Sequence, residues 1–212
     1  MKLLEIFDTD TKERTTKDLG KYDKSYYRDY ERQNPTEIGH GKFSYVKDKK
    51  SDPHFVQKVM KKASDDLSGD AYYVYIKTIV DQKIAQHNPF APRVYKINQF
   101  KGTDGKQKYS IDMEKLIPLD DISQPELQEY ARRLFDIDDE VNMYDFSSFV
   151  EDAMHGRIEL KDKNLLKLFN LINSIKEKYG FYDDLHAANM MFRRGPYGIQ
   201  LVITDPLAHM TE

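Results

Sequence analysis

The sequence predicts an α+β fold built as a strand-rich part over residues 36–116 and a mainly helical part over 117–212. Three observations carry this. Short strand-like runs bounded by turn residues occur at Ile38 to Lys47, His54 to Met60, Val94 to Phe100 and Lys108 to Met113. The clearest helical pattern is Asn164 to Tyr179, where Leu165, Leu168, Phe169, Leu171, Ile172 and Ile175 recur at helical spacing. Two further strand-like pieces, Met190 to Arg193 and Ile199 to Thr204, flank the turn Gly195-Pro196-Tyr197-Gly198 near the end.

Each element is justified in order. Residues 1–35 are polar, charged and rich in tyrosine, with no sustained period, and read as an N-terminal extension without assigned chemistry. Ile38 to Lys47 and His54 to Met60 form an expected antiparallel pair across the charged turn Lys47 to Pro53. Ser68 to Gln86 is expected to be one helix, with Tyr72, Ile76, Ile79, Val80 and Ile84 on its apolar face and Asn88-Pro89 as its stop. Val94 to Phe100 and Lys108 to Met113 are the next strands, and Pro118 ends the strand-rich part. The acidic stretch Asp136 to Glu140 reads as a solvated surface, and Gly180 supplies the left-handed stop after Tyr179.

Composition narrows the function classes. A chain of 212 residues suits one compact protein or two small lobes. Hydrophobic residues at 39% and aromatics at 12% support a core, while 33% charged residues make the surface very polar. The net charge of -3 provides no global field to gather nucleic acid or anionic lipid. With no cysteine, disulfides and thiolate metal sites are excluded. Met1 to Phe7 is too short and too charged for a signal peptide, and no apolar run approaches membrane-spanning length. A cytoplasmic protein without membrane or direct nucleic-acid partners is expected.

Four ordered segments carry the chemistry. Ile38-Gly39-His40-Gly41-Lys42-Phe43-Ser44-Tyr45-Val46 holds two glycines that permit close backbone approach to phosphates, with Val46 able to cover a flat adenine. Lys58, among apolar neighbours in the next strand, places an ammonium where it would neutralise phosphate. At the strand end Met113-Glu114-Lys115-Leu116, backbone groups of Glu114 and Leu116 would pair with an adenine edge and Met113 would stand behind the base. Finally, Asp184 and Asn189 are five residues apart, a spacing that lets a carboxylate face an attacking hydroxyl while an amide oxygen coordinates Mg2+. Asp205, at the end of the apolar run Leu201 to Thr204, would bind the same ion.

The order of glycine loop, strand lysine, helix, hinge, catalytic loop and metal-binding aspartate resembles the protein-kinase signature set, over about Ile38 to Leu207. Within it the chain looks closest to the short early serine/threonine kinases of T-odd bacteriophages. The segments shared with them are Gly39 to Ser44, Ser68 to Tyr72, Asp184 to Phe192 and Ile203 to Pro206. The resemblance implies a two-lobed kinase-like fold with a truncated helical lobe, ATP and Mg2+ as cofactors, and host proteins as substrates in the host cytoplasm. Asp184 would be the catalytic carboxylate, Lys58 would bind phosphates, and Asn189 and Asp205 would hold the metal. Ile38, Gly39, Gly41, Ser44, Val46, Lys58, Met113, Glu114 and Leu116 would line the nucleotide site.

The chain also departs from that pattern. No glutamate occurs between Glu37 and Glu114 to pair with Lys58, leaving Asp70 or Asp81 as substitutes. Tyr182-Asp183 stands where the family has His-Arg, and Pro206-Leu207 where it has Phe-Gly, so a phosphorylation-switched activation loop is not expected. Seven residues follow Asp205, and peptide recognition is therefore expected from 1–35 or 119–160. The Asp-Leu-His-x-x-Asn form is similar to small-molecule phosphotransferases of the aminoglycoside type, a second reading. A third is a catalytically weak, ATP-binding pseudokinase. His186 is expected either to touch phosphate or to serve as a structural hydrogen-bonder.

Overall fold

The computed structural model describes residues 37–40, 44–48, 52–61, 63–102, 105–137 and 139–209, and its architecture is α+β. The expected extension 1–35 and Gly41 of the glycine pair lie outside the described residues. The chain divides into two compact units, one running to Leu67 and resuming over Arg93–Lys115, the other comprising Ser68–Pro92 and the chain from Leu116 onward.

The first unit is a five-stranded antiparallel sheet of β1 (Glu37–His40), β2 (Ser44–Asp48), β3 (Phe55–Met60), β4 (Val94–Lys101) and β5 (Gln107–Glu114). Their order across the sheet is β1-β2-β3-β5-β4. The single run expected from Ile38 to Lys47 is instead a hairpin, with Gly39 opposite Val46 and His40 opposite Tyr45. The residues on both sides read as strand, so the sequence pattern alone does not separate the two.

Residues opposite one another share a face of a sheet. Val46, Lys58, Ile111 and Ile97 therefore form one row, and Val56, Met113 and Val94 form the next row on the same face. The reverse face holds a buried polar pair, with Gln57 Nε2 donating to Asp112 Oδ1 at 2.7 Å. Burying those groups without that bond would cost free energy, and the bond offsets it. The rings of Phe55 and Tyr95 meet edge to face at 4.4 Å.

In the second unit the helix α1 (Ala71–Asp81) starts at Asp70, whose carboxylate accepts the Tyr73 N–H at 2.8 Å. Tyr72, Tyr73, Val74, Tyr75 and Ile76 are all buried, and the first turns of this helix are apolar nearly all round. The expected continuous helix Ser68 to Gln86 is broken, because Lys83 adopts φ 57° and a separate turn, α2 (Ile84–His87), follows. Val80 and Ile84 keep a spacing of four across the break, which is why the sequence reads through it.

Three longer helices follow: α3 (Gln124–Phe135), α4 (Met143–Met154) and α5 (Lys163–Tyr179). Asn142 and Asp145 form a capping box at the start of α4. Asp162 caps α5, and Gly180, at φ 71°, closes it as its sequence position foretold. A three-stranded sheet joins β6 (Ile117–Pro118), β8 (Met190–Gly195) and β9 (Gly198–Ile203). Between them in sequence comes β7 (Tyr182–Asp183), which pairs with β10 (Leu207–Ala208).

The core of this unit is aromatic. Tyr130 of α3, Phe146 of α4 and Phe192 of β8 stand 5.6 to 6.1 Å apart, ring to ring. The Tyr130 hydroxyl accepts the Leu201 N–H at 2.9 Å, tying α3 to β9, and burial pushes the phenol's pKa well above its ordinary value. Ile203 N–H donates to Phe90 O at 2.9 Å, so the segment after α2 holds the far end of β9.

Candidate functional site

The loop from Asp184 to Asn189 is built by its own backbone. Leu185 is buried and anchors it, His186 N–H donates to Asp184 O at 3.1 Å, and Asn189 N–H donates to His186 O at 2.9 Å. Strand register then decides what faces the loop's two ends. Met190 of β8 lies opposite Ile203 of β9, so Asn189 falls opposite Thr204. Thr204 donates twice to Asn189 O, from N–H at 3.0 Å and from Oγ1 at 2.8 Å. Asp183 of β7 lies opposite Leu207 of β10, and Asp184 N–H donates to Pro206 O at 2.9 Å.

Asp205 is thus the single residue between two anchor points, each bonded to one end of the Asp184–Asn189 loop. Three residues spread over 22 positions of sequence meet in one backbone clasp.

Side chains add a second set of bonds. Asn189 Nδ2 donates to Asp184 O at 2.6 Å and to Asp184 Oδ2 at 3.2 Å. Two oxygens on Nδ2 fix the amide's orientation, and its Oδ1, the one Asn189 side-chain atom suited to a cation, accepts no hydrogen bond among the described residues. His186 stays inside the loop. Its Nδ1 lies 3.3 Å from Ala188 N and its Nε2 lies 3.1 Å from Asn189 Nδ2 and 3.6 Å from Asp184 Oδ1. A neutral imidazole has one acceptor nitrogen, so only one of the two N–H groups facing it is bonded at a time.

The charge of Asp205 reaches α1. Burial, then the Asp205 carboxylate, push the Tyr72 and Tyr75 phenols above their ordinary range. Tyr75 Oη donates to Ile203 O at 2.9 Å, two residues before Asp205. Among the described residues no three histidines, aspartates or glutamates gather into a metal-holding set. An Asn189 amide oxygen and an Asp205 carboxylate are hard oxygen donors of the kind that suit Mg2+, which keeps several waters and needs few protein ligands.

The residues expected to bind nucleotide in the first unit are arranged differently. Ile38 and Gly39 lie in β1, and Ser44 and Val46 in β2. Lys58 shares one sheet face with Val46, Ile111 and Met113. Glu114 is buried and turned to its own sheet: its Oε1 accepts the Arg93 N–H at 2.8 Å, and its N–H donates to Arg93 O at 3.1 Å. Leu116 begins the second unit's return, one residue before β6. Of the two aspartates considered as partners of Lys58, Asp70 caps α1 and Asp81 pairs with Lys77 at 3.2 Å on its own helix.

Sequence reasoning missed Thr204, Asp183, Lys176 and His155. Asp183 Oδ2 lies 2.6 Å from Lys176 Nζ and 3.9 Å from His155 Nε2, while its Oδ1 is buried without a hydrogen-bond donor among the described residues. The available signal was a second aspartate directly before Asp184, where one acid suffices for the chemistry. No protein-family model and no curated protein matches the chain.

Proposed function

We propose that the chain is an ATP- and Mg2+-dependent phosphotransferase with a two-lobed, protein-kinase-like fold that phosphorylates serine or threonine hydroxyls of proteins, host proteins if it is phage-encoded. The observation that carries this reading is the clasp, in which Thr204 on Asn189 O and Pro206 O on the Asp184 N–H bracket Asp205.

Each residue's role follows from its surroundings. Asp184 is 42% exposed, so an acceptor hydroxyl can reach its carboxylate, and Asn189 Nδ2 on its Oδ2 holds the group in one orientation. In this role it orients or accepts the hydroxyl proton, a contribution worth about a hundred- to ten-thousand-fold in rate. Asn189 Oδ1 and Asp205 would hold Mg2+, which when bound neutralises phosphate charge as the phosphoryl group moves. Val46 and Lys58, in one row of one sheet face, would cover the adenine and pair with phosphate. Positioning and charge neutralisation supply most of the barrier reduction in such reactions.

Incubation with γ-labelled ATP, Mg2+ and host lysate tests the reading. Labelled protein is expected with the wild type and not with Asp184→Ala; absence of transfer, or equal transfer by both, contradicts it. A second reading, phosphorylation of a small molecule, is favoured by His186, whose ring closes on both Asn189 and Asp184 and makes the Asp-Leu-His-x-x-Asn segment one unit. Transfer to an aminoglycoside or metabolite panel and not to protein would establish that alternative.

A further inference from the structure

The clasp hangs on very little strand. β7 and β10 are two residues each, far shorter than strands that hold themselves by pairing. Lys176 in the last turn of α5 compensates. Its carbonyl accepts the N–H groups of Gly180 at 2.8 Å and Phe181 at 3.2 Å, and its Nζ reaches forward to Asp183 Oδ2 at 2.6 Å. One residue thus fixes the chain at 180, 181 and 183 as it leaves the helix and enters the site. His155, the residue closing α4, stands 3.9 Å from the same oxygen.

The Lys176 and Asp183 side chains are 29% and 25% exposed, so solvent screens this pair less than a surface one. Yet Asp183 Oδ1 is buried with no donor among the described residues. An apolar pair at these positions would avoid that desolvation cost, so stability alone is a poor reason for charges here. What an ion pair adds is direction: it fixes the azimuth of β7 and hence of the Asp184 N–H that holds Pro206.

We propose that Asp183 is a positioning residue for the catalytic loop, tied by Lys176 with His155 alongside, and that this ion pair sets Asp184 against Asp205. The proposal rests on the phosphotransferase reading above. Asp184 would do the chemistry; Asp183 acts only through it.

The test compares full-length Asp183→Asn, Lys176→Met and Lys176→Arg with the wild type. Misplacement of a reacting group by about 1 Å costs up to about a hundredfold, so Asp183→Asn and Lys176→Met should lower kcat by roughly ten- to a hundredfold. KM for ATP should stay within about twofold, the signature of a lost transition-state interaction. Lys176→Arg, which keeps a permanent positive charge within reach of the carboxylate, should stay within about threefold of the wild type. Amide exchange at Asp184 should quicken in the first two variants while α5 keeps its protection. Unchanged kcat in the first two variants, exchange quickened across α5 as well, or a loss of kcat in Lys176→Arg as large as in Lys176→Met would overturn the proposal. A wild type without any transfer activity would instead sink the phosphotransferase reading. Exchange at Asp184 would then decide the ion pair's role alone, with unchanged exchange overturning it.

Discussion

In the second unit the candidate residues bind one another: Asn189 holds Asp184 by its side chain and Thr204 by its carbonyl, and Asp184 holds Pro206 by its amide. In the first unit Val46, Lys58 and Met113 share a sheet face, while the buried polar groups around them are satisfied elsewhere, Gln57 on Asp112 and Glu114 on Arg93. The contrast separates two ways of making a site. A clasp ties chemistry to fold, so damage to its scaffold should reach both. A row on a sheet ties chemistry only to register, so damage on the reverse face should leave chemistry alone.

The largest expected effect tests the first half of that contrast. Phe192→Ala empties a fully buried position between Tyr130 and Phe146 on the strand that begins next to Asn189. Unfolding free energy should fall by about 3–5 kcal/mol in denaturant titrations, and transfer per folded molecule should fall with it. Gln57→Leu tests the other half. It removes the Gln57 donor from the buried Asp112 carboxylate, at a cost of about 1–3 kcal/mol, but transfer per folded molecule should not change. A drop in transfer there would erase the distinction between the units.

A smaller effect appears in alkali. The buried phenols of Tyr72, Tyr75 and Tyr130 are held above their ordinary range, chiefly by burial. Below about pH 10 folded and unfolded chains both keep these protons. Above it the unfolded chain releases protons that the folded chain retains, so stability should fall as pH rises. Circular dichroism recorded beside tyrosinate absorbance should show unfolding and ionisation together; ionisation of all tyrosines in a still-folded chain would contradict this.

The smallest effect is expected at Arg194, which donates to Glu126 at 2.6 Å and links β8 to α3. The hydrogen bond from Arg194, then that from Ser123, holds the Glu126 carboxyl below its usual pKa. Such a group contributes above its unfolded pKa and loses that contribution as pH falls through the folded one. The pair is exposed, so Arg194→Ala should lower Tm only slightly at neutral pH. The difference should vanish in acid and at high salt.

The readable parts of the sequence were those with a long period or a special residue. Helix α5 showed six apolar positions at helical spacing and a glycine at its end, and β8 and β9 flanked a Gly-Pro-Tyr-Gly turn. Breaks that preserve periodicity stayed hidden, as at Lys83 between α1 and α2 and in the reversal from β1 to β2. Within the site, Asp184 and Asn189 stood out by their spacing of five, and Asp205 because an acid at the end of an apolar strand needs a reason. Their tethers did not. Thr204 acts through its hydroxyl on a carbonyl 15 residues away, and the β7–β10 pairing spans only two residues on each side, too few to leave a pattern. Asp183 read as a neighbour of the candidate acid rather than as the partner of Lys176.

The central claim is that the clasp is a phosphoryl-transfer site, and the rate of γ-phosphoryl transfer from ATP tests it most directly. Wild type, Asp184→Ala and Asp205→Asn should be compared at saturating Mg2+, each checked for folding by its near-ultraviolet spectrum. The account predicts measurable transfer by the wild type and losses of at least about a hundredfold in both variants, with the fold retained. No transfer by the wild type, or undiminished transfer by either variant, would contradict it.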